Sequence, residues 1–326
     1  MTLERFKFSV IIPFKSINPY VQQCLNHLKK QSYQNFEIIL LPDKKEKIIY
    51  KNVISLATGS IGPAEKRDLG AKKARGEILA FIDDDAYPHR DWLKNSLSTL
   101  KNKNVAAVCG PGVTPREDDI FRQAGGWVNS LWFGSGGAGT YRFIPQKERS
   151  VDDYPSMNFI VRKVDFDKVG GFNTHYWPGE DTKLCLDLVY NLKKKIIYQP
   201  KVLVYHHRKP LFLPHLKQVS RFAIHRGYFA RVFPQTSLRF GYLIPTLFVL
   251  FLIVGFFLSL FFKSLSPLYL ISIGAYLSVL TINMVYVMVK SRNILTGVLT
   301  GTGIFLTHIF YGILFPLGFL KKNLKQ

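Results

Sequence analysis

The chain has 326 residues, of which 47% are hydrophobic and 20% are charged. That composition excludes a disordered tail and a fibrous repeat, and the length suits one sizeable domain with an appendage or two small domains. The 3 cysteines (Cys24, Cys109 and Cys185) are odd in number and far apart. They form neither a disulfide framework nor a Cys-x-x-Cys metal site, which favours a reducing compartment.

Charge divides the chain into two halves. All 22 acidic residues lie between Glu4 and Asp187, whereas the stretch from Leu188 to Gln326 has 17 of the 44 Lys and Arg residues and no acid. A nucleic-acid-binding protein usually combines such basicity with a polar, soluble fold. Because the basic half here is also the apolar half, we expect anionic membrane lipids as partners and no nucleic acid.

Strand-like and helix-like segments alternate through the first half. Apolar, β-branched runs predict strands at Phe8–Pro13, Phe36–Leu41, Ile78–Ile82, Val105–Cys109 and residues 201–205. Helical composition predicts helices at residues 18–31, 63–75 and 91–100. The alternation predicts an α/β fold with a mostly parallel sheet covered by helices. Ligands of such sheets bind beyond the carboxyl ends of the strands, so reactive residues are expected there.

Long uncharged stretches fill the second half. Residues 240–262 and 264–289 each exceed the roughly 20 apolar residues that span a bilayer. They predict a membrane hairpin with spans at about 240–262 and 266–289. A third stretch, 293–320, is either another span or, as we favour, an interfacial segment ahead of a basic tail, because basic residues flank both of its ends.

The segment 211–239 joins the two halves and has the pattern of a basic amphipathic helix. Val219, Phe222, Phe229 and Phe233 recur at helical spacing, which predicts an apolar face for a helix in the lipid headgroup plane. An ordinary surface helix on the first domain is the alternative. No secretory signal precedes the first predicted strand, so we expect a multi-pass protein of the cell membrane whose first domain, residues 1–210, is cytoplasmic.

A triple-acid cluster directly follows the third predicted strand. Asp83, Asp84 and Asp85 repel one another, and a hard divalent cation such as Mg²⁺ or Mn²⁺ would relieve the repulsion through oxygen ligands. Such a cation could also hold a diphosphate. A solvated acidic loop is the alternative.

A second acidic pair begins a predicted helix. Glu180 and Asp181 follow the turn Gly170-Gly171-Phe172, which could present a carboxylate to a cleft as a general base. Acids also favour helix N-termini for structural reasons alone, so helix capping is the alternative.

Together these motifs resemble the GT-A-type family 2 glycosyltransferases over roughly residues 8–210. The resemblance rests on their order: the first strand with Pro13-Phe14, the second ending at Asp43, Lys66-Arg67-Asp68-Leu69-Gly70, Asp83-Asp84-Asp85, Gly170-Gly171-Phe172, Glu180-Asp181 and His206-His207. Each motif is weak alone, but their correct order is a strong signal. The usual Asn of the helix motif is Asp68 here, and Lys44 follows Asp43, so the nucleotide stays open.

The resemblance implies a role for each matched residue. It implies donor binding by Pro13, Phe14, Asp43, Lys66, Arg67, Gly70, Asp83 and Asp84. It implies Asp181 as catalytic base with Glu180 beside it. It also implies Mg²⁺ or Mn²⁺ held by Asp83, Asp85 and one histidine, for which we favour His207 over His206. On the acceptor side, or at the phosphate of a lipid, we expect Asn158, Trp177, Arg221 and Arg226.

The function thus implied is an inverting, metal-dependent transfer of a sugar from a nucleotide-diphosphate donor to a lipid-linked acceptor, in glycan or polysaccharide biosynthesis. Two alternatives stand beside it. Gln218, Arg221 and Phe222 resemble a signature of processive polysaccharide synthases, although two or three spans are few for a polymer channel. A non-catalytic membrane module that keeps the fold for binding is the other alternative, which the combination of Asp83, Asp85 and Asp181 disfavours.

Overall fold

The structure is a computed structural model that describes residues 7–46, 52–137, 139–173 and 176–324. Contacts divide the chain into two compact units. The first combines the chain up to Val113 with Ile144–His207, and the second combines Thr114–Phe143 with Arg208–Lys325. Residues 114–143 therefore belong with the C-terminal helices, although the expected first domain, 1–210, includes them. The division of the chain into 1–210, 211–239 and 240–326 stays a prediction.

The strands all lie in the first unit. They are β1 (Phe8–Pro13), β2 (Phe36–Leu41), β3 (Val53–Ser55), β4 (Ile78–Ile82), β5 (Ala86–Pro88), β6 (Val105–Cys109), β7 (Gly112–Val113), β8 (Arg149–Val151), β9 (Asn158–Arg162), β10 (Lys195–Tyr198) and β11 (Val204–His206). Every residue of β1, β2, β4 and β6 is buried, which is why these strands read as continuous apolar runs. Their predicted positions are confirmed.

The helices are distributed over both units. They are α1 (Pro19–Lys29), α2 (Pro63–Lys73), α3 (Trp92–Leu100), α4 (Ile120–Ser130), α5 (Trp132–Ser135), α6 (Thr140–Phe143), α7 (Lys163–Lys168), α8 (Glu180–Leu186), α9 (Leu213–Val232), α10 (Pro234–Ser237), α11 (Phe240–Phe261), α12 (Ser266–Ser291) and α13 (Ile294–Leu320). A π-helical turn, Asp187–Asn191, continues α8. The helices predicted at 18–31, 63–75 and 91–100 correspond to α1, α2 and α3.

The main sheet is mixed rather than mostly parallel. Its order is β3-β2-β1-β4-β9-β6-β10-β8. The first four strands of that order run parallel to one another, but β9 lies antiparallel between β4 and β6. The α/β class is confirmed. The insertion of β9 beside the third predicted strand accounts for the difference in strand direction.

A small second sheet, in the order β5-β11-β7, carries the C-terminal end of the first unit. The strand predicted at residues 201–205 forms only from Val204 to His206. The backbone N–H of His207 donates to the carbonyl oxygen of Asp85 at 2.9 Å. This bond ties the end of β11 to the residues that follow β4.

The second unit contains the long apolar helices. Within the described residues, α11, the stretch from Lys263 to Ser291, and α13 are each long and apolar enough to cross a membrane. The predicted hairpin thus has the lengths that spanning requires. The third stretch is one continuous helix, and an interfacial position for it stays a prediction.

Helix α9 packs along α13 instead of presenting one uniform apolar face. It buries Val219 and Phe229, as the spacing predicts, but leaves Phe222 48% exposed. At Gly227, a Cβ atom would lie 2.0 Å from the Phe315 carbonyl oxygen, and at Gly318 it would lie 2.1 Å from that of Ile224. The two helix backbones therefore touch where both lack side chains.

Candidate active site

Lys66 joins the carboxyl ends of the first two strands. Its buried ammonium donates to the carbonyl oxygens of Phe14, at 2.6 Å, and Leu41, at 3.2 Å, and it forms an ion pair with Asp43. An ammonium has three hydrogens, and these three partners use them all. Lys66 was expected to contact the donor, but its contacts instead make it a residue that orients Asp43 and the chain after β1, where Pro13 and Phe14 lie.

Gly70 has a packing role in the same helix. A Cβ atom at this position would lie 2.8 Å from Ile11 Cγ2 and 2.9 Å from Leu41 Cδ1. The glycine thus lets α2 approach β1 and β2 closely enough to bring Lys66 and Arg67 to the strand ends. The expected contact of Gly70 with the donor stays a prediction beside this packing role.

Arg67 links the two acidic motifs. Its Nη2 donates to Asp83 Oδ1 at 2.7 Å, and its Nη1 donates to Glu180 Oε1 at 3.0 Å. Burial disfavours the charge of the guanidinium, but the carboxylates of Asp83 and Glu180 raise the pKa of Arg67 above its ordinary value. The end of β4 and the start of α8, nearly a hundred residues apart in sequence, therefore meet at one side chain.

His206 reaches the triple-acid cluster. His206 Nε2 lies 2.9 Å from Asp85 Oδ1, and Asp83, Asp85 and His206 each offer a ligand atom within 4.8 Å of the others. Carboxylate oxygens and an imidazole nitrogen suit Mg²⁺ or Mn²⁺. The residues present thus fit the expected cation. Asp84 is half-buried in the turn that follows β4.

His207, favoured from the sequence as the metal ligand, faces elsewhere. Its Nε2 lies 2.8 Å from Gln23 Oε1, and its ring packs against that of Tyr20, with centroids 4.5 Å apart. The side chains of the two consecutive histidines diverge, as those of adjacent residues in extended backbone do, and the side chain that lies against the Asp85 carboxylate is that of His206. The His207 assignment is therefore corrected to His206.

Glu180 and Asp181 begin α8 and differ in environment. Glu180 is buried, and its second oxygen accepts the N–H of Gly179 at 3.0 Å while the first binds Arg67. Asp181 is only partly buried, and its Oδ1 accepts the N–H of Thr182 at 2.8 Å. Of the two, Asp181 has the greater access to a substrate. Trp177, which is 54% exposed, precedes them in the same segment.

Asp68 holds the turn that leads to this motif. Its two carboxylate oxygens accept the N–H groups of Phe172 and Asn173, each at 2.9 Å. Burial raises the pKa of Asp68, although these two hydrogen bonds oppose the shift. The sequence marked Asp68 only as a departure from the usual Asn. Its carboxylate accepts from Phe172 and Asn173, which lie about a hundred positions away in the sequence.

Asn158 is a structural residue. It is fully buried in β9, where its Nδ2 donates to the carbonyl oxygens of Gly110 and Val202, both at 2.7 Å, and its Oδ1 accepts from Trp92 Nε1 at 2.8 Å. These three bonds use its side chain inside the core. The expected acceptor-side contact of Asn158 is therefore wrong.

Arg221 and Arg226 belong to the second unit, on α9. Arg221 is exposed. Arg226 Nη1 donates to Ser237 Oγ at 3.0 Å, and its guanidinium lies 4.9 Å from the centroid of the Tyr242 ring. Arg226 therefore ties α9 to the segment that begins α11, and contact of either arginine with a lipid phosphate stays a prediction.

The model of the family described as glycosyl transferase family 2 matches residues 9–170. This chain carries a family 2 glycosyltransferase domain. The mannosyltransferase PcManGT from Pyrobaculum calidifontis, solved in complex with GDP-Man and Mn²⁺, has a similar fold with a TM-score of 0.61 at 16% identity, over 92% of this chain and 88% of that one. The GT-A fold implied by the resemblance is confirmed.

Curated relatives match mainly the domain. Glycosyltransferase AglE of Haloferax volcanii is 27% identical over 207 residues, which cover 56% of this chain and 62% of AglE, less than two thirds of that relative. A glucosyl-dolichyl phosphate glucuronosyltransferase of the same organism is 23% identical over 223 residues, 61% of this chain and 69% of that protein. Poly(ribitol-phosphate) beta-N-acetylglucosaminyltransferase TarS of Staphylococcus aureus is 34% identical, but over only 34% of this chain and 22% of TarS.

Proposed function

We propose that this protein is an inverting, metal-dependent glycosyltransferase of the cell membrane. It would move a sugar from a nucleotide-diphosphate donor to a lipid-linked acceptor at the cytoplasmic face, in glycan or polysaccharide biosynthesis. The observation that carries the proposal is the double ion pair of Arg67 with Asp83 and Glu180. It holds the acids that follow β4 and the acids that begin α8 against one guanidinium, as a shared active site requires.

The donor side of this mechanism uses the acids after β4. Asp83, Asp85 and His206 would hold a divalent cation, which, when bound, counters the charge of a diphosphate leaving group. Arg67 orients the Asp83 carboxylate by donating a hydrogen bond to one of its oxygens. Lys66 fixes Asp43, which the resemblance assigns to donor binding.

The acceptor side uses Asp181. Its carboxylate would take the proton of an acceptor hydroxyl as that oxygen attacks the anomeric carbon from the face opposite the diphosphate. One such displacement inverts the anomeric centre. The buried Glu180, with one oxygen on Arg67 and the other on Gly179, would hold the start of α8 in place instead of exchanging protons.

A lipid-linked acceptor is supported by two independent observations. Three helices of the second unit have the length and apolar composition for a membrane, and one relative is named for action on a glucosyl-dolichyl phosphate. Two acceptor types fit: a polyprenyl phosphate and a lipid-linked saccharide. The first is ionised before it attacks, so Asp181→Asn would reduce transfer little. The second needs a base, and loss of that base would reduce transfer about 100-fold or more.

The experiment is a donor panel. Membranes containing the full-length protein are incubated with Mn²⁺ and radiolabelled UDP-, GDP- and dTDP-sugars, and label in extracted lipid is counted. We expect one donor class to label lipid, with the opposite anomeric configuration in the product, and Asp85→Ala to abolish the labelling. Labelled lipid in equal amounts from wild type and Asp85→Ala would contradict the proposed site, and long water-soluble polymer would favour the processive alternative.

A further inference from the structure

We propose that the uncharged segment 123–137, which lies within the first half of the sequence, forms a membrane-embedded element whose Trp132 contacts lipid. The inference rests on the membrane association proposed above. Its first support is sequence: no residue between Arg122 and Arg142 carries a formal charge. A charge inside the hydrocarbon region is costly, and this stretch has none.

The element runs along α12 from one end to the middle. The ring of Trp127 packs on that of Tyr286 with centroids 6.2 Å apart, and the ring of Phe133 packs on that of Tyr276 at 5.4 Å. The two tyrosines are about 15 Å apart along a helix that rises about 1.5 Å per residue. Lys290, which lies 5.8 Å from the Tyr286 ring, identifies the basic end. Phe133 is therefore the deeper of the two contacts.

Contacts with His308 on α13 also place Phe133 near the middle of the long helices. His308 Nε2 lies 2.9 Å from the carbonyl oxygen of Phe133 and its Nδ1 lies 3.0 Å from the hydroxyl oxygen of Tyr276. At about 1.5 Å per residue, His308 lies roughly 20 Å from either end of α13. A bilayer that surrounds the middle of α12 and α13 would therefore surround Phe133 and its neighbours as well.

Backbone polar groups of the element are satisfied locally, which a bilayer requires. The N–H groups of Leu131, Ser135 and Gly137 donate to carbonyl oxygens of the same element at 3.0 to 3.1 Å. The carbonyl oxygen of Phe133 accepts a hydrogen bond from the imidazole of His308. Ser130 Oγ donates to the carbonyl oxygen of Gly126 at 2.7 Å.

Trp132 is the side chain that this arrangement leaves outward. It is 66% exposed, whereas the adjacent Phe133 packs inward on Tyr276 and His308. Apolar side chains are likewise exposed on α11 and α12, for example Leu247 and Leu270. We therefore assign the hydrocarbon of a lipid bilayer, not a soluble partner protein, as the occupant of this surface.

Site-directed spin labelling tests the proposal directly, because Cys24, Cys109 and Cys185 are all buried and a nitroxide will label an added exposed cysteine selectively. The full-length variants Trp132→Cys, Leu270→Cys and Lys101→Cys are labelled and reconstituted in nanodiscs of phosphatidylcholine and phosphatidylglycerol. Power-saturation EPR then compares collisions with oxygen, which enters lipid, and with a nickel chelate, which stays in water. Lys101 is a charged, exposed residue of the first unit and serves as the water reference.

We expect the oxygen-to-nickel ratio at position 132 to match that at position 270 and to exceed that at position 101. A ratio at 132 equal to that at 101, with 270 in lipid, would overturn this inference and leave the membrane proposal standing. If position 270 also resembles 101, the membrane proposal itself fails.

A second measurement avoids the cysteine at position 132. Brominated lipid should quench part of the tryptophan fluorescence of the wild type, and Trp132→Phe should lose most of that quenching. Equal quenching of the two proteins would contradict lipid contact by Trp132. A soluble partner protein on this surface would likewise leave the fluorescence insensitive to brominated lipid.

Discussion

Arg67 is the residue on which the geometry of the active site depends most. It is buried with two carboxylates, and its Nε has no hydrogen-bond partner among the described residues. Removing one member of a buried ion pair leaves the others charged and desolvated. The motif match assigned Arg67 to the donor, but it could not show that the same side chain also holds Glu180, because that contact exists only in the folded chain.

We predict that Arg67→Gln lowers the free energy of unfolding by about 3 kcal/mol, because it leaves Asp83 and Glu180 without their shared cation. Lys73→Gln, on the exposed side of the same helix, is the matched control and should change it by less than about 0.5 kcal/mol. Urea denaturation of the full-length protein in detergent measures both. An Arg67→Gln variant as stable as the control would show that the two ion pairs contribute nothing to the fold.

Asp68 should make stability depend on pH. Burial raises the pKa of Asp68 in the folded protein above the ordinary value of 3.8. At a pH between the unfolded and the folded pKa, the native state therefore binds more protons than the unfolded state. Stability therefore falls as pH rises through this window. The free energy of unfolding of the wild type should fall across it relative to that of Asp68→Asn, which has no proton to lose. Parallel pH profiles for the two proteins would contradict this assignment.

The consecutive histidines give a sharper test of the metal site. His206→Ala should weaken Mn²⁺ binding by at least about tenfold, because it removes a ligand atom, whereas His207→Ala should weaken it less, through the position of β11 alone. Calorimetric titration of the full-length protein with Mn²⁺ compares them. A larger loss for His207→Ala would restore the assignment made from the sequence.

Among the helices and strands, the sequence predicts those whose hydrophobic pattern is local. The runs of β1, β2, β4 and β6 are continuous, buried and bounded by polar residues, so their composition identifies them. Strand β9 escaped prediction, although its sequence Asn158–Arg162 is mostly apolar, because its place in the sheet is set by pairing with β4 and β6. The buried Asn158 was misassigned for the same reason: its partners are Gly110, Val202 and Trp92.

The contact of α9 with α13 predicts a difference between two glycines. Gly318→Ala should lower the melting temperature of the protein in detergent, because its Cβ would lie 2.1 Å from the Ile224 carbonyl oxygen and would cost about 1 to 3 kcal/mol by overpacking. Gly274→Ala on α12 meets nothing within 4 Å and should leave it unchanged or raise it. Equal melting temperatures would show that α9 and α13 are farther apart than described.

In the whole molecule, the asymmetry of charge already separates the half that carries the matched domain from the half that carries the long apolar helices. The sequence did not show that Thr114–Phe143 belongs with the long apolar helices. The segment is short and rich in glycine, and in the sequence it lies between strands β7 and β8. Its uncharged stretch from Gln123 to Tyr141 was a usable signal. Both compact units therefore combine segments from both sides of the charge boundary that follows Asp187.

Sugar transfer by variants of the two acidic motifs is the decisive measurement for the proposed active site. With the donor that labels lipid in wild-type membranes, transfer is measured for Asp85→Ala, Asp181→Asn and, as an acidic control outside both motifs, Asp91→Asn. We expect Asp85→Ala to abolish transfer, Asp181→Asn to lower it about 100-fold when the acceptor is a hydroxyl, and the control to keep wild-type rates. Transfer at wild-type rates by both Asp85→Ala and Asp181→Asn would contradict the proposed active site.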